Sequence, residues 1–270
     1  MKDNTETPIF LSDGNDPEMS QASLKAQSTI KILWRELSWE RRRIIPALDM
    51  ACIKACFSDE EGGQVEHMWI DEVDFDGVSY RGVLLNTPNW LTSVQAGDEV
   101  CVDPKYISDW MYAIDGKVYG AYTVNLIRSR MSRQERSAHD EAWGYDFGLP
   151  NQISLFDGHS TSKPSDGFLR RFRRSAPDTN SDSEEYPEHP MSINMTESYA
   201  SGVSEDPSMI NNQGLHGWTF LHIEAAAGNL AQVEVLLNHD ADKTIRSEHG
   251  HLAVDLARYF KWDKVVALLE

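Results

Sequence analysis

Long apolar runs, cysteines and cations are all scarce in this chain, and each shortage excludes something. No apolar stretch in the 270 residues is long enough to cross a bilayer. Met1 to Asn15 shows no cationic start followed by an apolar core, so no signal peptide is expected. Cysteine occurs only as Cys52, Cys56 and Cys101. An odd, small number offers no disulfide framework and points to reduced thiols in a cytoplasmic protein. Lys and Arg total 25 against 43 Asp and Glu, a formal net charge of −18. Such a chain repels phosphate backbones, so nucleic acid is not an expected partner, and the balance suits a soluble protein or one whose partner is basic. No phosphate loop, nucleophile elbow or paired-histidine zinc motif occurs, and neither an enzymatic activity nor a cofactor is expected.

Hydrophobic residues make up 40% and aromatics 10%, enough to bury a core. Residues 1–20 are polar and expected to form a mobile tail. The spacing of Ile30, Leu33, Trp34 and Leu37 predicts an amphipathic helix from about Ser23. Ile44, Ile45, Leu48, Ala51, Cys52, Ala55 and Cys56 suggest a second, buried helix beginning near Pro46. Shorter periods follow: strands around His67–Ile70 and Val78–Leu85 with a hairpin at Asp76-Gly77, and a strand at Glu99–Val102. Ile107–Ile114 leads through Asp115-Gly116 to a returning strand, Val118–Val124. Ser132 and Glu135 have capping-box spacing for a short helix through Ala142. The expectation is an α+β domain at residues 21–150, helices plus an antiparallel sheet. Residues 151–213, rich in Ser, Pro, Asp and Asn, are expected to be a polar linker. The basic island Arg170–Arg174 inside it favours a solvated run over an anion-docking site.

Gly217-Trp218-Thr219-Phe220-Leu221-His222 and the positions from Gly250 onward repeat at 33 residues. This period and opening motif resemble ankyrin repeats, which implies an all-α repeat pair at residues 214–270. The resemblance gives Thr219 and His222 structural roles in the turn and first helix. Phe220, Glu224, Asp240 and Asp255 depart from the pattern. Two units are too few to bury a continuous core, so they are expected to lean on the preceding segment, the N-terminal domain or another chain.

Trp34–Gly148 resembles the domain-of-unknown-function family 2314, the YegJ-like proteins. The residues that bear this likeness are Glu66-His67-Met68-Trp69, Phe75-Asp76-Gly77, Gly82–Asn86, Gly97-Asp98, Ile107–Tyr112 and Gly120–Thr123. The resemblance implies no activity. Its company with ankyrin repeats looks like the architecture of bacterial immunity proteins, which implies toxin neutralisation. Ala55 to Tyr80 contains eight carboxylates and no Lys or Arg, a window suited either to steering a basic toxin or simply to keeping a cytoplasmic protein soluble. Asp76 and Asp74 have roles available in the hairpin. Glu60, Glu61, Glu66 and Glu72, with Trp143 after its polar helix, are therefore the candidate partner-binding residues. Trp69 and Trp110 are expected in the core. Cys52 and Cys56, four apart, could offer two metal ligands with His67 nearby, but burial in the core is the favoured reading. His139-Asp140 holds acid–base chemistry without a local nucleophile. The expected function is a non-enzymatic protein-interaction protein. An intracellular ankyrin scaffold or an enzyme of unknown class in the N-terminal domain are the alternatives.

Overall fold

Residues 16–59, 63–156 and 186–270 are described by a computed structural model of the chain. Helix α1 spans Pro17–Glu40. It begins inside the expected tail because Asp16 caps it, accepting from the amides of Glu18 and Met19, while Pro17 occupies the first turn, where its missing N–H goes unused. Six strands follow: β1 (Leu48–Ser58), β2 (Val65–Phe75), β3 (Tyr80–Leu84), β4 (Glu99–Val102), β5 (Ile107–Ile114) and β6 (Lys117–Gly120). They form one sheet in the order β4-β3-β2-β1-β5-β6, antiparallel throughout.

The helix expected near Pro46 is strand β1. Ala51, Ile53 and Ala55 join the main core on one face, while Cys52 lies in a second cluster on the other. Both faces of this central strand are covered, so the alternation that marks a half-exposed strand is missing and a helical spacing can be read in its place. Ile44 and Ile45, assigned to the same helix, are 99% and 81% exposed. The hairpins at Asp76-Gly77 and Asp115-Gly116 are where the sequence puts them. Gly82 is sterically required: a Cβ there would stand 2.2 Å from the Asp71 carbonyl oxygen, at the irregular register between β2 and β3.

The expected strand Val118–Val124 ends at Gly120. Gly120 and Ala121 both take positive φ (76° and 58°), and helix α2 (Tyr122–Arg130) starts at once. Ala121 has no side chain with which to cap α2. Asp109 of β5 does so from across the fold, accepting from the amides of Tyr122 (3.0 Å) and Thr123 (2.7 Å). Helix α3 (Arg133–Trp143) opens on the Ser132–Glu135 capping box. Trp143, with Val124 and Phe147, packs on the Cys52, Trp69 and Met111 side of the sheet.

The segment expected to be a linker holds helix α4 (Pro190–Glu205). The Arg170–Arg174 island lies outside the described residues. Beyond α4 come two helical hairpins, α5 (Phe220–Ala227) with α6 (Leu230–Asn238), and α7 (Ala253–Tyr259) with α8 (Asp263–Leu269). Ala253 stands 33 positions after Phe220, and Asp263 stands 33 after Leu230. In the first hairpin Thr219 N–H donates to His222 Nδ1, so Nε2 carries the proton and donates to the His251 carbonyl in the second. Asp255, which replaces the histidine in the second unit, accepts from Leu252 N–H in the same manner at 2.9 Å.

These hairpins do not stand apart from the sheet domain. Trp34 of α1 stacks on Phe260 with centroids 6.1 Å apart and meets Trp218 and Phe75 edge-on. Trp39 Nε1 donates to Asn229 (3.1 Å), and Arg42 pairs with Glu224 (2.9 Å), which is 1% exposed. Helix α4 meets α6 through Ser192 and Gln232. One core therefore runs from the sheet through α1 into the hairpins. The sheet domain and the hairpins support one another, and α1 with α4 covers the face of the hairpins that a further neighbour would take.

Separating the halves should expose both sides of this core. Residues 16–156 and 186–270 expressed apart should each melt lower and less cooperatively than the whole chain, which should unfold in one calorimetric transition. Trp34→Ala in the whole chain should cost about 3–5 kcal/mol in denaturant unfolding. Two resolved transitions in the wild type would contradict this account.

Candidate functional site

The acidic window is largely consumed by the fold. Asp59 accepts from the Thr92 and Ser93 amides and hydroxyls, which hold its pKa down at about 2. Glu66 is 7% exposed, and its oxygens accept from Asn89 N–H (2.9 Å) and Trp90 N–H (2.6 Å). It anchors the chain after β3 and is corrected from a partner contact to a structural carboxylate. Asp74 holds Arg41 at 2.8 Å and His216 at 2.5 Å, joining the sheet to the hairpin region. Asp76 closes the turn through Val78 and Ser79 N–H. Of the four glutamates singled out in the sequence, Glu72 is exposed, with positive φ (52°), at the register shift within β2. Glu60 and Glu61 lie outside the described residues. Trp143 is not on an open surface: it is half-buried, its ring 6.3 Å from that of Trp69.

Trp143 instead lines a cleft of about 830 Å³, formed where the N-terminal turns of α1 meet the ends of β1, β2 and β5 and the flanks of α2 and α3. Its floor is a row across the sheet. Lys54 faces Trp69 in the β1–β2 register and Asp109 in the β1–β5 register. The Lys54 ammonium lies 5.5 Å from the Trp69 ring centroid, a cation–π distance. Burial pulls the Lys54 pKa below its usual value, against the pull of Asp109. Asp109 is fully buried, and burial pushes its carboxyl upward. Donors from Trp110, Tyr122 and Thr123 occupy both its oxygens.

His67, on β2, lies beside this row. Its Nδ1 is 2.8 Å from Ser108 Oγ, which is 3.3 Å from the Lys54 carbonyl. All three groups are satisfied when Nδ1–H donates to Oγ and the hydroxyl donates to the carbonyl. The serine is then a relay in a structural chain and not an activated nucleophile. Burial of the ring within the cleft, then the nearby Lys54 charge, hold the His67 pKa at about 4, although its outer edge is exposed. Cys52 is fully buried and Cys56 half-buried, and no group of three or more His, Cys, Asp or Glu among the described residues is placed to hold a metal. His139 sits against Asp140 (2.9 Å), which also pairs with Arg128. Sequence reasoning missed Lys54 and Asn86 as cleft residues, because nothing in their neighbours' spacing distinguishes them from ordinary strand and loop positions.

A family model described as "Uncharacterized protein conserved in bacteria (DUF2314)" matches residues 16–147. A Neisseria meningitidis serogroup B protein, provisionally named an ankyrin repeat protein, is 38% identical over 267 residues, 98% of each chain. The uncharacterised protein YegJ of Escherichia coli K12 is 33% identical over 87 residues, 32% of this chain and 56% of that one. No described helix is long and apolar enough to cross a membrane.

Two outcomes follow. His67 binds a proton in the unfolded chain near pH 6.5 but in the folded one only near pH 4, so folded stability should fall as pH drops through that window. His67→Gln should flatten the slope in pH-dependent urea unfolding, and the wild-type imidazole should not titrate by NMR between pH 5 and 8. Asp109→Ala should strip the α2 cap and cost about 1–3 kcal/mol, read by the same unfolding assay.

Proposed function

This chain belongs to the bacterial family of the DUF2314 domain, and we propose that it is a non-enzymatic protein whose task is to bind another protein, its two C-terminal hairpins being ankyrin-type repeats. The observation that supports this most directly is the 33-residue offset of both helices in each hairpin, together with the like capping of Thr219–His222 and Leu252–Asp255. The meningococcal relative's name points the same way for a protein of nearly the same length. Because α1 lies against α5, the partner meets the outer surface of the assembled chain and not the face that α1 covers.

The net charge of −18 supports a basic partner, and toxin neutralisation is the specific form of the reading that we carry forward. Its steering charge rests on the whole surface with Glu60, Glu61 and Glu72, since Asp59, Glu66, Asp74 and Asp76 hold the fold together. Partner protein co-purified from the native host, then titrated against wild type and a Glu60→Gln, Glu61→Gln, Glu72→Gln variant, provides the test. Association should be slower for the variant and slower for both proteins at high salt, where screening acts over about 8–10 Å. Rates that match and ignore salt would remove the case for a basic partner.

A further inference from the structure

Three hydrogen-bond donors around Trp69 have no acceptor among the described residues, and all three line the same cleft. The first is the Lys54 ammonium, which lies over the Trp69 ring and feels the Asp109 charge without a hydrogen bond to it. The second is the side-chain amide of Asn86. Its carbonyl must accept from Trp69 N–H at 3.1 Å, which fixes the orientation of the amide and leaves the NH₂ group without a partner, on a residue 7% exposed. The third is Trp143 Nε1, shielded from water and unbonded, on a ring packed edge-on against Trp69.

Of the three, Trp143 Nε1 is sealed from water, while Lys54 is half-buried and its ammonium and the Asn86 NH₂ open onto the cleft. A cation and an amide donor converging from separate segments on one cleft are a pattern that an acceptor-rich ligand completes. The carboxylates around the cleft do not fill this role. Asp16 is held by Arg130, Glu66 by two backbone amides, and Asp109 by the α2 N-terminus and Trp110. Trp69 and Trp143, with Val124 and Ile127 of α2, give the cleft a flat apolar wall, beside polar residues that include Gln27, His67 and Lys105. A volume of about 830 Å³ is within the range of small-molecule sites.

We propose that this cleft binds a small carboxylate with a flat apolar body, the carboxylate taking the Lys54 and Asn86 donors and the body lying along Trp69 and Trp143. The proposal rests on the cleft alone and does not depend on the partner reading. Lys54→Met keeps the stem's volume and removes the charge. Asn86→Asp keeps the acceptor for Trp69 N–H and replaces the NH₂ donors with negative charge.

The test is calorimetric titration of the whole chain with 2-naphthoate and with the neutral 2-naphthylmethanol, each variant first checked for a wild-type circular dichroism spectrum. Wild type should prefer naphthoate over the alcohol by tenfold or more. Lys54→Met and Asn86→Asp should each weaken naphthoate at least tenfold and leave the alcohol within twofold. Trp143→Phe, which retains the ring, serves as a second fold-neutral check and should weaken naphthoate by a smaller factor. No saturable naphthoate binding to wild type, equal binding of acid and alcohol, or naphthoate affinity unchanged in both charge variants would overturn the proposal.

Discussion

Over its second half helix α1 has almost no solvent-facing side. Thr29 through Glu36 are buried without interruption, including Lys31, Arg35 and Glu36. A helix with charged residues inside survives only if each charge finds a partner. Here the partners come from the C-terminal segment. Lys31 donates to the Lys261 carbonyl at 3.2 Å, Arg35 to the Pro187 carbonyl at 2.8 Å, and Glu36 faces His189 at 3.1 Å. Burial alone would raise the Glu36 carboxyl's pKa, but His189 and Arg43 bring it below the usual value. The sheet covers one side of α1 and the hairpins cover the other, so neither layer can be removed without stranding charge as well as apolar surface.

The same economy governs the acidic stretch from Asp59 to Asp76. In sequence it carries eight carboxylates and no Lys or Arg. In the fold its carboxylates become caps and struts: Asp59 and Glu66 tie down the chain between β3 and β4, and Asp74 bridges α1 to His216. The negative charge relevant to a partner is thus a property of the whole surface, with long-range steering as its main consequence.

The opposite side of the sheet is differently arranged. Trp34 Nε1 and Trp218 Nε1 are unpaired in the core that α1 shares with the hairpins, as Trp143 Nε1 is beneath α2, but on the α2 and α3 side the Lys54 and Asn86 donors also open onto a cleft. Asp109 sharpens the contrast, because it stands beside Lys54 in the register and is fully engaged by helix α2.

Local chemistry determined a good deal by itself. The turns at Asp76-Gly77 and Asp115-Gly116, the capping box of Ser132 and Glu135, the core places of Trp69 and Trp110, and the 33-residue recurrence from Gly217 each follow from preferences that act within a few residues or from a repeat visible on inspection. Tertiary structure decided the rest. Strand β1 could pass for a helix because both of its faces are buried. Helix α2 begins where it does because its cap belongs to β5, 13 residues away from Tyr122. The hairpins found their missing neighbour in α1, roughly 200 positions earlier in the chain. Glu66 looked like a free surface charge and is an anchor, while Lys54, Asn86 and Trp143 meet at Trp69 from three separate segments. The physical reason is common to all of these. Backbone propensity is set by near neighbours, whereas the partner of a buried charge or donor is set by which distant segments packing brings within hydrogen-bond reach.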